Sequence, residues 1–270
     1  MLRGSSLISI FLSFFGNDLV RKEKMQYNLK NGIVLYYDEP THTYKVGGKK
    51  IPSVTGITGK GLIKDGLTNW KISFPLGYAK REINSTLNNN VALDRLSLEK
   101  IFAEAEGCTD KIMKEAGRIG SVVHGLVEDY LKGKEIPTQN DKRVVNCWNL
   151  FLAWWEQQEY EPLYIEKKLY SEKYHYAGTL DLVVKDKKEK LVLIDIKTSN
   201  QVSFDYLLQL NAYKVAFEEE TGKKISKALV VRLPKSDKRI DVQDIPLNKK
   251  LFNAFLGAKY IMTSMNKYWE

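Results

Sequence analysis

The stretch LVLIDIKTS, residues 191–199, brings an acid and a base to the end of an apolar run. A strand has a side-chain period of two, so Asp195 and Lys197 share one face and Ile194 and Ile196 the other. Upstream, AGTLDLVV carries Asp181 in the preceding run, and the polar link DKKEK joins the two as an antiparallel hairpin. Adjacent strands lie ~4.8 Å apart, so two carboxylates at similar height on them can hold one cation. A hard divalent ion such as Mg²⁺ takes oxygen ligands, commonly one or two carboxylates with waters and phosphate oxygens. Asp181, Asp195 and the backbone carbonyl of Ile196 supply such a half-shell, and Lys197 sets an ammonium beside it. The set suits attack on phosphorus. The ion lowers the pKa of a bound water, and the ammonium stabilises the negative charge that builds during the reaction. An acid-x-lysine pair by itself also describes a solvated strand end with an ion pair worth little. The second acid, at hairpin distance, separates the two readings.

Taken together, Asp181 and Asp195-x-Lys197 resemble the catalytic signature of the PD-(D/E)XK nuclease superfamily. His124 and Glu128, in GSVVHGLVEDY, are similar to the histidine-bearing helix of its RecB-like exonuclease branch. Glu166, in YIEKKLYS, resembles the acidic strand residue ahead of the catalytic hairpin. Gln209 and Tyr213, in LLQLNAYKVA, match that branch's Gln-x-x-x-Tyr helix. The pattern is similar to phage exonucleases, the mitochondrial genome-maintenance exonuclease and the CRISPR-adaptation nucleases. The last usually carry a four-cysteine cluster, which this chain lacks. The resemblance covers about residues 118–234 and departs from the signature where Asp181 follows Thr-Leu rather than Pro.

The resemblance implies a restriction-endonuclease-like α/β fold, a mixed central sheet flanked by helices. It implies a metal-dependent DNA exonuclease that hydrolyses phosphodiester bonds on single-stranded DNA or DNA ends. Mg²⁺ or Mn²⁺ would be held by His124, Asp181, Asp195 and the Ile196 carbonyl, with Glu128 and Glu166 in support. Lys197, Asp181 and Asp195 would carry the chemistry, and Gln209 and Tyr213 would contact DNA. His124 and Glu128 are four apart and share a helix face, and imidazole suits Mn²⁺-type ions. Two other functions use the same residues: a structure-specific endonuclease, and a DNA-binding or assembly factor with a vestigial site. A different phosphate-handling enzyme fits less well, because no Gly-rich phosphate loop occurs.

Elements able to position these residues follow from the pattern. NGIVLYYDEPTHTYKVGGKKIPSVT reads as short strands with turns at Glu39–Pro40 and Gly47–Gly48. TNWKISFPLGYAKREI and DRLSLEKIFAEAEG read as two helices, the first open to a break at Pro75, joined by an exposed linker STLNNN. GRIGSVVHGLVEDYLKGK is a further helix. QNDKRVVNCWNLFLAWWEQQEY carries an apolar stripe, Val144, Val145, Trp148, Phe151, Leu152 and Trp155, at core-facing spacing. PLYIEKKLYS, HYAGTLDLVVKD and KLVLIDIKT are strands. A helix runs from an N-cap at Ser203 to Gly222, KISKALVVRLPK is a strand, and NKKLFNAFLGAKYIMTSMNKYW closes the chain as a helix. The order gives an α/β core with an N-terminal β-hairpin region and a helical insertion before it. We expect residues 1–24 as a dispensable extension and 25–270 as one nuclease domain, with 68–106 as a helical cap and 107–270 as the catalytic core.

Composition sets outer limits. The formal net charge of +9 suits either a polyanionic partner or simple solubility. Lys167, Lys168, Lys173 and Lys185 lie on or near the central strands and Arg118 precedes the histidine helix, positions that fit a phosphate track. Trp70, Phe74 and Tyr78 are suited to core packing or to stacking on single-stranded bases. His42 and His175 lack any supporting pattern. With only Cys108 and Cys147, the chain holds no disulfide framework, zinc knuckle or four-cysteine cluster of its own. A reducing, intracellular and cytoplasmic setting of a bacterial or phage-infected cell is expected, an organellar one staying open as the alternative, with DNA as partner and no membrane. LISIFLSFF, residues 7–15, has the length of a signal-peptide core but is too short to span a bilayer, and no small-x-small cleavage site follows.

Overall fold

The computed structural model describes residues 25–236 and 239–269; the expectations for residues 1–24 lie outside them. Strands β1 (Met25–Asn28), β2 (Val34–Asp38), β3 (Thr43–Val46) and β4 (Lys49–Ile51) form an antiparallel meander in chain order. The β3–β4 turn is built on Gly47 and Gly48, both at positive φ, where a side chain would be strained. Three helices follow: α1 (Val54–Lys60), α2 (Asp65–Asn88) and α3 (Arg95–Leu131). Helix α4 (Lys142–Trp155) leads into the second sheet.

That sheet holds β5 (Glu161–Ser171), β6 (Tyr176–Lys185), β7 (Leu191–Lys197), β8 (Ile225–Arg232) and β9 (Asp241–Asp244), in that spatial order. The β5–β6–β7 meander is antiparallel. Strand β8 runs parallel to β7, which requires a crossover, and α5 (Phe204–Thr221) provides it. Gly222, in the left-handed conformation, ends α5. Helix α6 (Lys249–Trp269) closes the chain. The result is the expected mixed α/β sheet between helices.

Burial explains the two layers. Leu193, Val183, Leu208 and Phe217 join α5, α6 and α1 on one side of the sheet. Val192, Ile194 and Ile196 pack under α3 and α4 with Val123, Val127 and Phe151 on the other. Strand β7 thus alternates as its sequence requires, with its apolar residues divided between two cores.

Four local expectations change. Helix α2 continues through Pro75. The carbonyl that Pro75 frees belongs to Lys71, which is exposed, so water can satisfy it. Ser85–Asn88 of the anticipated linker form the last turn of α2. The two segments on either side of residues 107–117 are one helix, α3, of 37 residues and about 55 Å. Its glycines lower propensity without stopping it. Helix α1 and strand β9, seven and four residues long, carry too little pattern to be read from sequence. Among the described residues no helix is long and apolar enough to cross a membrane.

The meander and the residues that follow it are tied to the main sheet around Gly178. Ala177 donates its N–H to the Pro52 carbonyl at 2.9 Å, Ser53 bridges Ala177, and the Tyr44 hydroxyl lies 2.8 Å from Thr179 Oγ1. Next to these, Gly178 lies so close to Tyr213 and Val54 that an added Cβ would stand 2.7 Å from the Tyr213 ring. Gly178→Ala is therefore expected to destabilise the fold by about 1–3 kcal/mol through overpacking, measured by urea denaturation.

Candidate functional site

The register of the β6–β7 hairpin pairs Leu182 with Ile194, which makes Asp181 and Asp195 the next positions on neighbouring strands. The pair is joined through the backbone: the Ile196 N–H donates to Asp181 Oδ2 at 2.7 Å. Helix α3 brings His124 to the same carboxylate, with Nδ1 3.7 Å from Asp181 Oδ2 and 3.8 Å from Glu166 Oε1. Ligand atoms of His124, Glu166 and Asp181 all lie within 4.8 Å of one another, a spacing from which one cation could be held.

Glu166 reaches this group by an unusual backbone. Its φ is 50°, inside a strand. The ladder holds on either side of it, Ile165 with Leu182 and Lys167 with Leu180, so the irregularity is confined to the residue opposite Asp181. A non-glycine residue in this region is strained, and such strain persists where the surroundings enforce it. The sequence carries no sign of this conformation.

Asp195 is 2% exposed, and Lys197 Nζ stands 2.6 Å from its Oδ2. Among the described residues Oδ2 accepts no hydrogen bond, so this contact is an ion pair alone. A buried carboxylate oxygen in that state fits a site completed by a cation. Burial pushes the Asp195 carboxyl up, to about 6, with Asp181 adding to the rise and Lys197 opposing it. For Lys197, burial works against the charge, but Asp195 and Asp181 outweigh it and raise the ammonium above its ordinary value. Lys197 also lies 5.1 Å from the centre of the Tyr206 ring, a cation–π contact from α5.

The remaining candidates fall differently. Glu128 lines the cleft with His124, its Oε1 2.5 Å from Lys132 Nζ. The Ile196 side chain is buried under α3 and α4, so only its backbone faces the carboxylates. Tyr213 is buried and lines the cleft, its hydroxyl held well above the ordinary value by burial and by nearby Asp195. Gln209, expected to contact DNA, is buried, and its Nε2 donates to Thr58 Oγ1 of α1 at 3.0 Å. The short helix that covers it could not be anticipated. Arg118 is paired with Glu115 and, at 2.6 Å, with Asp141, and is not among the cleft-lining residues.

The cleft itself measures about 1260 Å³. One side is the His124–Glu166–Asp181 group with α3. The other is the N-terminal meander, through Tyr27, Tyr37, Glu39, His42 and Tyr44. Nothing in the sequence pattern connects this meander to the site. His42 and His175 each meet a tyrosine five residues earlier, with Nδ1 2.8 Å from the Tyr37 hydroxyl and 3.0 Å from the Tyr170 hydroxyl. Cys108 and Cys147 are buried and free.

Comparison with known proteins bears on this geometry. Residues 142–260 match the family model described as the PD-(D/E)XK nuclease superfamily. That span holds Glu166, Asp181, Asp195 and Lys197, and leaves His124 outside. Similar solved structures include a protein from Eubacterium rectale provisionally assigned as an exonuclease, at 13% identity and a TM-score of 0.38. The likeness covers 55% of this chain and 65% of that one. Another is SSO0001, at 15% identity and a TM-score of 0.32, over 70% of this chain and 73% of that one. No curated protein matches the chain.

Burial alone would lower the His124 pKa, but the Asp181 and Glu166 carboxylates outweigh it and raise it to about 9. A histidine whose folded pKa exceeds its unfolded value stabilises the fold fully below the unfolded value, ~6.5, and loses that contribution as pH rises through the folded one. Without divalent ions, the stability advantage of the unaltered chain over His124→Gln is expected to shrink between about pH 6.5 and 9, measured by denaturation in EDTA. An advantage independent of pH over that range would contradict the charged imidazole.

Proposed function

Since residues 142–260 belong to the PD-(D/E)XK nuclease superfamily, we propose that this chain is a divalent-metal-dependent deoxyribonuclease that acts on single-stranded DNA or DNA ends. The observation that carries the reading is the convergence of His124, Glu166 and Asp181 within 4.8 Å in the lining of an open cleft, with the Asp195–Lys197 pair on the neighbouring strand. An imidazole with carboxylates suits Mn²⁺ and Mg²⁺. Asp181, His124 and Glu166 would hold the ion, with Asp195 and the Ile196 carbonyl as further donors. Bound there, the ion would act as a Lewis acid on the phosphate and lower the pKa of a water.

The chain's own groups divide the remaining work. Asp195 and Asp181 favour the charged form of Lys197 against burial. Lys197 therefore acts as a fixed positive donor to the attacking water and the developing phosphate charge, not as a proton acceptor. Tyr206 and Asp195 fix its direction. The Ile196 N–H holds one oxygen of Asp181 and so orients the carboxylate.

The exonuclease preference rests on the family resemblance and on helices α2 and α3. Their paired parts, within 68–106, bury little against the rest of the chain, Ala79 and Ala105 being among the few buried residues, and leave Ile72, Leu76 and Phe102 exposed. We read this pair as a cap over the path of a strand. Trp70 and Phe74, with ring centres 5.4 Å apart, are its aromatic pair.

Lys197→Ala is expected to lower turnover of end-labelled DNA by about 10²-fold or more while DNA binding persists. EDTA should abolish cleavage by the unaltered chain, and Mg²⁺ or Mn²⁺ should restore it. Retained turnover in Lys197→Ala would remove the reading. Equal rates on linear and circular single strands would remove its exonuclease part.

A further inference from the structure

Four lysines near the central strands were candidates for a phosphate track, and the structure sorts them. Lys167 is held by Glu220 at 2.7 Å and Lys185 by Glu161 at 2.7 Å. Lys173 lies over the Tyr174 ring. Lys168 is different. Its side chain is only 11% exposed, and it lines the cleft that contains His124, Glu166 and Asp181. Its one hydrogen bond goes to the Glu166 carbonyl oxygen at 3.2 Å, and the nearest carboxylate oxygen, Glu166 Oε2, stands at 3.8 Å.

An ammonium has three donors, so this one keeps donor capacity toward the cleft. Burial of a lysine is costly unless its charge is compensated. The carboxylate nearest to it is the one aimed at His124 and Asp181, and a cation bound there would draw on the same charge. Lys168 would then be left beside a dication, two positive centres lining one cavity. An anion entering the cavity would answer both. The other face of the ammonium is fixed by Tyr37, whose ring centre lies 5.1 Å away. Tyr37 is itself held by His42 through its hydroxyl and by Tyr44 at 4.8 Å between ring centres. The N-terminal meander thus packs an aromatic face against a lysine of the main sheet.

We propose that Lys168, seated on Tyr37, is a phosphate-anchoring subsite that takes a non-bridging oxygen of a backbone phosphate of the bound nucleic-acid strand. The inference rests on the nuclease reading and gives the N-terminal meander a role in it: the meander holds the cation that binds substrate.

The test uses the full chain and a fluorescein-labelled oligothymidylate in EDTA, with binding followed by anisotropy against salt. Removing one cation–phosphate interaction should reduce the slope of log affinity against log salt by about 0.7 for a single strand. Lys168→Met is expected to show that reduction and Lys168→Arg to retain the slope. With Mg²⁺ present, Lys168→Met should raise KM about tenfold with kcat within about threefold, as for removal of an interaction made equally before and during reaction. An unchanged slope and KM in a folded Lys168→Met would overturn the subsite while leaving the nuclease reading intact. Should that variant not fold, Tyr37→Leu replaces it: a KM raised severalfold supports the subsite and an unchanged KM overturns it. If the unaltered chain neither binds nor cleaves the oligonucleotide, the nuclease reading fails, and the subsite with it.

Discussion

The constraint on which the site depends is charge crowding among buried and half-buried side chains at the cleft. Glu166 in mid-β5 and Asp181 on β6 meet at His124 of α3, and the hairpin register sets Asp195 of β7 beside Asp181. Two like charges ~4.5 Å apart repel by about 4 kcal/mol at an effective dielectric near 20. The fold answers with cations on every side: Lys197 at 2.6 Å from Asp195, His124 at 3.7 Å from Asp181, and Lys168 at 3.8 Å from Glu166. Three acids thus face three bases when the imidazole carries its proton. That balance is why the Asp181 and Glu166 carboxylates raise the His124 pKa, to about 9, against burial. A divalent ion entering here would take over the work of the imidazole proton, because a ligating histidine must be neutral.

Backbone geometry, more than side-chain length, achieves this crowding. The hairpin register sets Asp181 beside Asp195, and the Ile196 N–H locks the first of them. On β5 the ladder shifts between Pro162 and Tyr164, and then Glu166 turns to positive φ opposite Asp181. Strain of this kind costs of order 1–3 kcal/mol. In return the carboxylate leaves the ladder and points to the imidazole, so a strand residue serves the site as a loop residue would.

Those same features mark what the sequence could and could not disclose. Alternation in LVLIDIK placed Asp195 and Lys197 on one face because strand period is a local property, and the structure pairs them at 2.6 Å. The hairpin was legible from two apolar runs around a polar link. Helix α4 was legible from its stripe, which ends in the core with Phe151 fully buried. Glu166 was assigned a supporting place only, since its aim depends on one φ angle that no residue pattern encodes. The contact of Gln209 with Thr58 could not be read, because Thr58 lies 151 positions away on a helix of only seven residues. The continuity of α3 was hidden by Gly107 and Gly117, which weaken a helix by propensity yet leave it intact when a neighbour packs on it.

Charge shows the same limit most sharply. Arg118 and Lys168 read alike in the sequence, each a cation near a motif. Arg118 sits in a surface group with Glu115, Asp141 and Arg143, where its charge is spent on neighbours and worth little beyond them. Lys168 is enclosed, donates once, and shares its nearest carboxylate with a histidine. What separates them is the environment each fold position supplies: an exposed helix face in one case, an aromatic wall contributed by a distant meander in the other. Composition can therefore state how many positive charges a nuclease-like chain owns. Which of them can act on a substrate is decided by how many carboxylates the fold has already given to each.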